Sequence, residues 1–164
     1  MDKLYELDNY FKKLTMFKFV SVMVFLSVLI VLPLVPLSMI FQVDEVASLN
    51  STMDLSFDWQ VFIAAIVAPI IETFLFQTLV ILGLRRLKFF RSRMYIVVII
   101  SALIFGIVHT YSLIYIMYAF LMGLILAYSY NVYIEKVDSS FIVVALIHSA
   151  RNILALIAAS ITIN

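Results

Sequence analysis

The chain has 164 residues, of which 65% are hydrophobic and 13% charged, with a formal net charge of +1. Soluble domains sit nearer half apolar and a quarter charged, so this composition excludes a water-soluble globule, a disordered chain and a coiled coil; the near-zero charge also excludes a nucleic-acid binder. The absence of cysteine removes disulfides, thiolate metal sites and a cysteine nucleophile from consideration.

The pattern predicts an all-α protein, a multi-pass transmembrane helix bundle of about five spans. A span needs about 20 mostly apolar residues, and five segments qualify: about 19–41, 59–84, 94–109, 113–133 and 141–163. Residues 1–18 read as an amphipathic cytosolic lead-in with no function of its own, followed by a single bundle over 19–164. The first apolar stretch is too long for a signal peptide and lacks a small-residue cleavage site, so it reads as an anchor. Pro33 and Pro36 predict a kink in its outer third.

Loop charge sets the orientation. Arg85, Arg86, Lys88, Arg91 and Arg93 fill the second connection without an acid, whereas Asp44, Glu45, Asp54 and Asp58 fill the first without a base. The positive-inside rule places the N-terminus and the Arg-rich connection in the cytosol and the acidic connection outside. The expected location is the cell membrane, with lipid as a partner. Tyrosines near both ends of the fourth span, among them Tyr115 and Tyr118, read as interfacial anchors.

Of the 21 Asp, Glu, Lys and Arg residues, only Glu72 and Arg151 fall within spans, and both histidines of the chain, His109 and His148, lie within spans or at their ends. Ionised groups in hydrocarbon cost roughly 2.5–3.5 kcal/mol on insertion scales and mark function when they face a bundle interior. A structural Glu72–Arg151 ion pair is the plain alternative. Against it, three helices each deliver an acid or an imidazole, which is how sites inside bundles are built. His148 and Asn152 share a helix face, as do Phe105 and His109, and Thr73 and Gln77. Pro69 lacks an N–H and breaks the backbone bond toward Ala65, leaving a carbonyl free near the acid. Glu72, His109 and His148 also make a possible three-ligand zinc set.

Three fragments carry a family resemblance: Ala-Pro-Ile-Ile-Glu-Thr-Phe-Leu-Phe-Gln at 68–77, Phe-Gly-Ile-Val-His at 105–109 and His-Ser-Ala-Arg-Asn at 148–152. In order and spacing, over about 60–155, they resemble the CPBP family of intramembrane proteases, which includes CAAX prenyl proteases and bacteriocin-processing or immunity proteins (Abi). The family pattern is Glu-Glu-x-x-x-Arg, then Phe-x-x-x-His, then His-x-x-x-Asn. Here Glu72 matches the first Glu, while Thr73 and Gln77 stand at the second Glu and the Arg. That exchange replaces a charged pair by a neutral one, expected to hydrogen-bond at i,i+4.

The resemblance implies an intramembrane endopeptidase that hydrolyses a peptide bond with a glutamate-activated water and no cofactor. Glu72 would be the general base, His109 would hold the water, and His148 and Asn152 would stabilise the oxyanion. Zinc on Glu72, His109 and His148 is the alternative. The substrate would be a peptide or membrane-protein segment. The altered first motif keeps a second role open: a non-catalytic immunity or accessory protein binding a membrane-active peptide. A small proton-coupled carrier is a third possibility, disfavoured because the spans show no repeat. Arg151 is expected either to replace the motif Arg by pairing with Glu72 or a substrate carboxylate, or to snorkel to a headgroup. The site is expected within the membrane, opening toward the cytosol.

Overall fold

The computed structural model describes residues 2–40, 56–136 and 139–162, and among these every regular element is a helix. Most of the acidic first connection, including Asp44, Glu45 and Asp54, lies outside the described residues. Helix α1 is Asp2–Lys13 and α2 is Met16–Val31. A 3₁₀ turn at Leu32–Leu34 containing Pro33 follows, then α3, Val35–Ile40. The proline break thus takes the form of a tightened turn, as a residue without an N–H requires.

Residues 57–85 form one rod, α4, in which the backbone changes register repeatedly. It is α-helical at Phe57–Phe62, π-helical at Ile63–Val67, α-helical at Ala68–Glu72, π-helical at Thr73–Leu79 and α-helical at Val80–Arg85. A four-residue helix in the Arg-rich connection, α5 (Lys88–Arg91), leads to α6, Met94–Ile107. Helices α7, Leu113–Tyr133, and α8, Ser140–Thr162, complete the bundle.

Four helical stretches, Met16–Ser38, Asp58–Arg85, Leu113–Tyr133 and Ser140–Ala158, are long and apolar enough to cross a membrane. The expected third span is shorter than the others. Helix α6 has 14 residues and rises about 21 Å, less than the roughly 30 Å of a hydrocarbon core.

Close packing explains how α6 is accommodated. A Cβ on Gly123 would lie 2.9 Å from Ala102 Cα, and one on Gly106 would lie 3.0 Å from Phe120 Cβ. These glycines let α6 and α7 approach backbone to backbone, as small residues do in membrane bundles. The antiparallel register they fix (106 beside 120, 102 beside 123) lets α7 begin roughly 9 Å beyond the end of α6 at 1.5 Å per residue. The 108–112 turn therefore completes the leg as irregular backbone, tolerated at membrane depth where it borders a cavity.

The core lies between α2, α6, α7 and α8, around Phe19, Met23, Val97, Leu126, Tyr133, Val144 and Ile147. Large apolar side chains such as Phe25, Ile66, Leu103, Ile142 and Ile157 face outward, the inverse of a soluble protein.

Helix α1 is more than a lead-in. Phe11 is buried in the core. Asp8 accepts hydrogen bonds from the hydroxyls of Tyr95 (3.0 Å) and Tyr128 (2.6 Å). Lys12 pairs with Glu135 at 2.6 Å, and the Lys136 ammonium donates to the Leu14 carbonyl at 2.9 Å. The pairing of Lys12 holds the Glu135 carboxyl below its usual range. These contacts put α1, the start of α6 and the end of α7 at one end of the bundle with the Arg-rich connection, as alternating passes require.

Candidate active site

Glu72 closes the short α-helical turn Ala68–Glu72, between the two π segments of α4. Each π stretch inserts a residue into the ladder and turns the side chains beyond it, a device common at functional sites. His109 stands two residues past the end of α6, and His148 and Asn152 stand one turn apart on α8.

These residues converge. Glu72 Oε2 lies 3.7 Å from His109 Nε2 and 3.6 Å from His148 Nε2. Both separations exceed a direct hydrogen bond. The three side chains border a cavity of about 80 Å³ whose other walls are Phe105, Tyr115, Tyr118, Ala119, Met122 and Asn152. A cavity needs only about 10–15 Å³ of such space to hold a water, so this one has room for water beside Glu72.

Hydrogen bonding fixes the tautomer of one imidazole. His109 Nδ1 sits 2.6 Å from the Phe105 carbonyl. A carbonyl only accepts, so Nδ1 carries the proton, and in the neutral ring Nε2 presents a lone pair toward Glu72. Phe105 thus orients His109 through its carbonyl, and its ring packs on both imidazoles at centroid distances of 4.5 and 5.8 Å. Tyr115 lies 6.0 Å from the His109 ring and 5.7 Å from the Tyr118 ring. Their place near the start of the span reads as interfacial anchoring, whereas the structure sets both tyrosines along the cavity. Their i,i+3 spacing on the helix that follows His109 is the signal for a shared inward face.

The Asn152 amide donates to the Ala64 carbonyl at 2.8 Å. The reason lies in Pro69 and the π register. Ala68 N–H bonds the Ile63 carbonyl, five residues back; the next such donor would be residue 69 to Ala64, and proline has none. The freed carbonyl is therefore that of Ala64, not Ala65 as an α-helical count implies. One Asn152 N–H remains for the pocket that the side chain lines.

Thr73 and Gln77 are both fully buried, but Thr73 Oγ1 and both polar atoms of Gln77 lack a hydrogen-bond partner. The expected i,i+4 bond is not made, because both residues lie in the π segment Thr73–Leu79, where wider turns move such pairs off a common face. Arg151 neither pairs with Glu72 nor snorkels. It is 9% exposed, and its guanidinium lies 5.3 Å over the Tyr118 ring. The cavity lies away from the Arg-rich end of the bundle: its walls include Tyr115 and Tyr118 from the first turns of α7, at the opposite end.

Among the described residues, no group of three His, Cys, Asp or Glu side chains is arranged to hold a metal ion. What the site does offer is one carboxylate oxygen flanked by two imidazoles over a small polar cavity, which suits activation of a water.

Comparison with known proteins supplies a family. A family model described as "Type II CAAX prenyl endopeptidase Rce1-like" matches residues 54–154, well over half of the chain and the whole of the site. Comparison with curated proteins and with solved structures found no match.

Proposed function

The chain belongs to the Rce1-like family of type II CAAX prenyl endopeptidases, within the CPBP intramembrane proteases, and from that premise we propose that it hydrolyses a peptide bond with a water activated by Glu72. The observation that carries this reading is the approach of Glu72 Oε2 to within 3.7 Å of both Nε2 atoms, on three separate stretches of chain.

The water sits between Glu72 and His109. One of its hydrogens points to the His109 Nε2 lone pair and the other to the Glu72 carboxylate, which leaves an oxygen lone pair for attack. As the oxygen bonds the substrate carbonyl carbon, Glu72 takes the proton. The carbonyl electrons move to the oxygen, and the oxyanion accepts hydrogen bonds from His148 Nε2–H and the remaining Asn152 N–H. Glu72 then delivers the proton to the leaving amine as the C–N bond breaks. Each well-placed oxyanion donor contributes roughly 3–4 kcal/mol to the transition state. Thr73, Gln77, Phe105 and Arg151 support the site without joining the proton transfer. The substrate is a peptide or membrane-protein segment reaching the site from the bilayer or its surface.

A second reading rests on Thr73 and Gln77, which stand where the family motif carries Glu and Arg: an accessory or immunity protein that binds a membrane-active peptide without cutting it. Glu72→Gln and His109→Ala, each shown to insert, separate the two when cleavage and protection against such a peptide are both measured. Loss of both supports the peptidase, whereas protection without cleavage supports binding. Chelation that abolishes cleavage, with zinc restoring it, would favour the metal alternative on Glu72, His109 and His148.

A further inference from the structure

Glu72 is held in a helix whose backbone ladder is interrupted on both sides, and a neighbouring helix reaches in at each interruption. Before Glu72, Asn152 of α8 donates to the Ala64 carbonyl in the segment Ile63–Val67. After it, the Ser101 hydroxyl of α6 donates at 2.7 Å to the Phe76 carbonyl in the segment Thr73–Leu79. The α-helical donor to Phe76 would be Val80 N–H, which bonds the Gln77 carbonyl instead. Ser101 is fully buried, so its hydroxyl has no competing solvent. Carbonyls left without a donor are unfavourable at membrane depth, and an α-helical rod would bring Glu72 to a different azimuth.

We propose that Ser101 is a positioning residue for Glu72: its bond to the Phe76 carbonyl holds the second π segment, opposite the pin that Asn152 sets in the first, and so fixes the direction in which Glu72 faces the imidazoles. The proposal rests on the active-site reading above. Ser101 touches neither the cavity nor the imidazoles and acts through the backbone of α4.

The two histidines of the chain, both beside Glu72, provide the readout. Ring-nitrogen resonances of histidine-labelled protein in lipid nanodiscs are compared for the native chain, Ser101→Ala, Glu72→Gln and the double variant, with His109 identified by its loss in His109→Gln. His148 is the reporter, because it lies on α8 and not on α6. Ser101→Ala is expected to move the His148 resonances toward their Glu72→Gln positions, and to move them no further when Glu72 is already Gln. Ser101→Cys, similar in size but a weak donor, is expected to behave like Ser101→Ala and takes its place if the alanine variant does not fold. Unchanged His148 resonances in Ser101→Ala would overturn the proposal, as would a displacement of equal size in both backgrounds or a native spectrum for Ser101→Cys. If Glu72→Gln itself leaves both histidines unchanged, the active-site reading fails first and the proposal falls with it.

Discussion

Glu72, His109 and His148 place ionisable groups where a bilayer offers no solvent for them, and their mutual approach is what makes that placement tolerable. Nearby, Gln77 and Thr73 carry a cost without such compensation, because their polar atoms are buried and unpartnered. Replacing Gln77 by Met keeps the volume and removes both orphan groups. We expect a stabilisation of about 1–2 kcal/mol, measured by reversible unfolding in mixed micelles. A loss of stability would show that the amide is satisfied in solution. The catalytic candidates were legible in the sequence because a charged or imidazole side chain within an apolar run is conspicuous. Ser101, Tyr115 and Tyr118 were not. Serine and tyrosine are ordinary in membrane helices, and the partner of Ser101 exists only because the π register frees a carbonyl that an α-helical count assigns to a backbone donor.

At the level of elements, periodicity located the helices to within a few residues, but it carries no sign of a register change from α to π. That is why the Thr73–Gln77 bond was expected and the role of Ala64 was not. The approach of α6 to α7 depends on Gly123, where an added Cβ meets backbone at 2.9 Å. Gly123→Ala is expected to cost about 1–3 kcal/mol by overpacking, and to lower activity by displacing Phe105 and His109. Gly83, with nothing within 4 Å of such a Cβ, should accept alanine without loss, a contrast the same unfolding assay reads.

Helix α1 gives a pH-dependent element. The carboxyl of Glu135 is lowered by Lys12, so the pair contributes above the ordinary carboxylate range and is lost as pH falls through the lowered value. The pair is exposed and its contribution small and salt-sensitive. Hydrogen exchange in α1 is therefore expected to rise at acid pH and in Glu135→Gln at neutral pH. Equal protection in Glu135→Gln would show that Asp8 and Phe11 hold the helix alone.

For the whole molecule, composition settled the all-α membrane class and loop charge suggested the orientation. The contacts of α1 agree with the alternation of passes: the N-terminus, the 86–93 connection and the start of α8 share one end. The chain contains no cysteine, so single-cysteine variants report accessibility without background. Ser92→Cys and Ser139→Cys are expected to react with an impermeant thiol reagent from one side of sealed vesicles, and Ser56→Cys, just before α4, from the other. Labelling of all three from one side would contradict the fold.

The depth of the site was less legible, because it depends on a short α6 and on the overhang of α7, both set by helix packing. The most direct measurement of the central claim is cleavage of membrane-associated peptides by the purified protein in liposomes, with products identified by mass spectrometry in heavy-oxygen water. The account predicts one incorporated oxygen at the new carboxyl terminus with the native chain, and loss of cleavage in Glu72→Gln while the protein still inserts and folds. Undiminished cleavage by folded Glu72→Gln would contradict it.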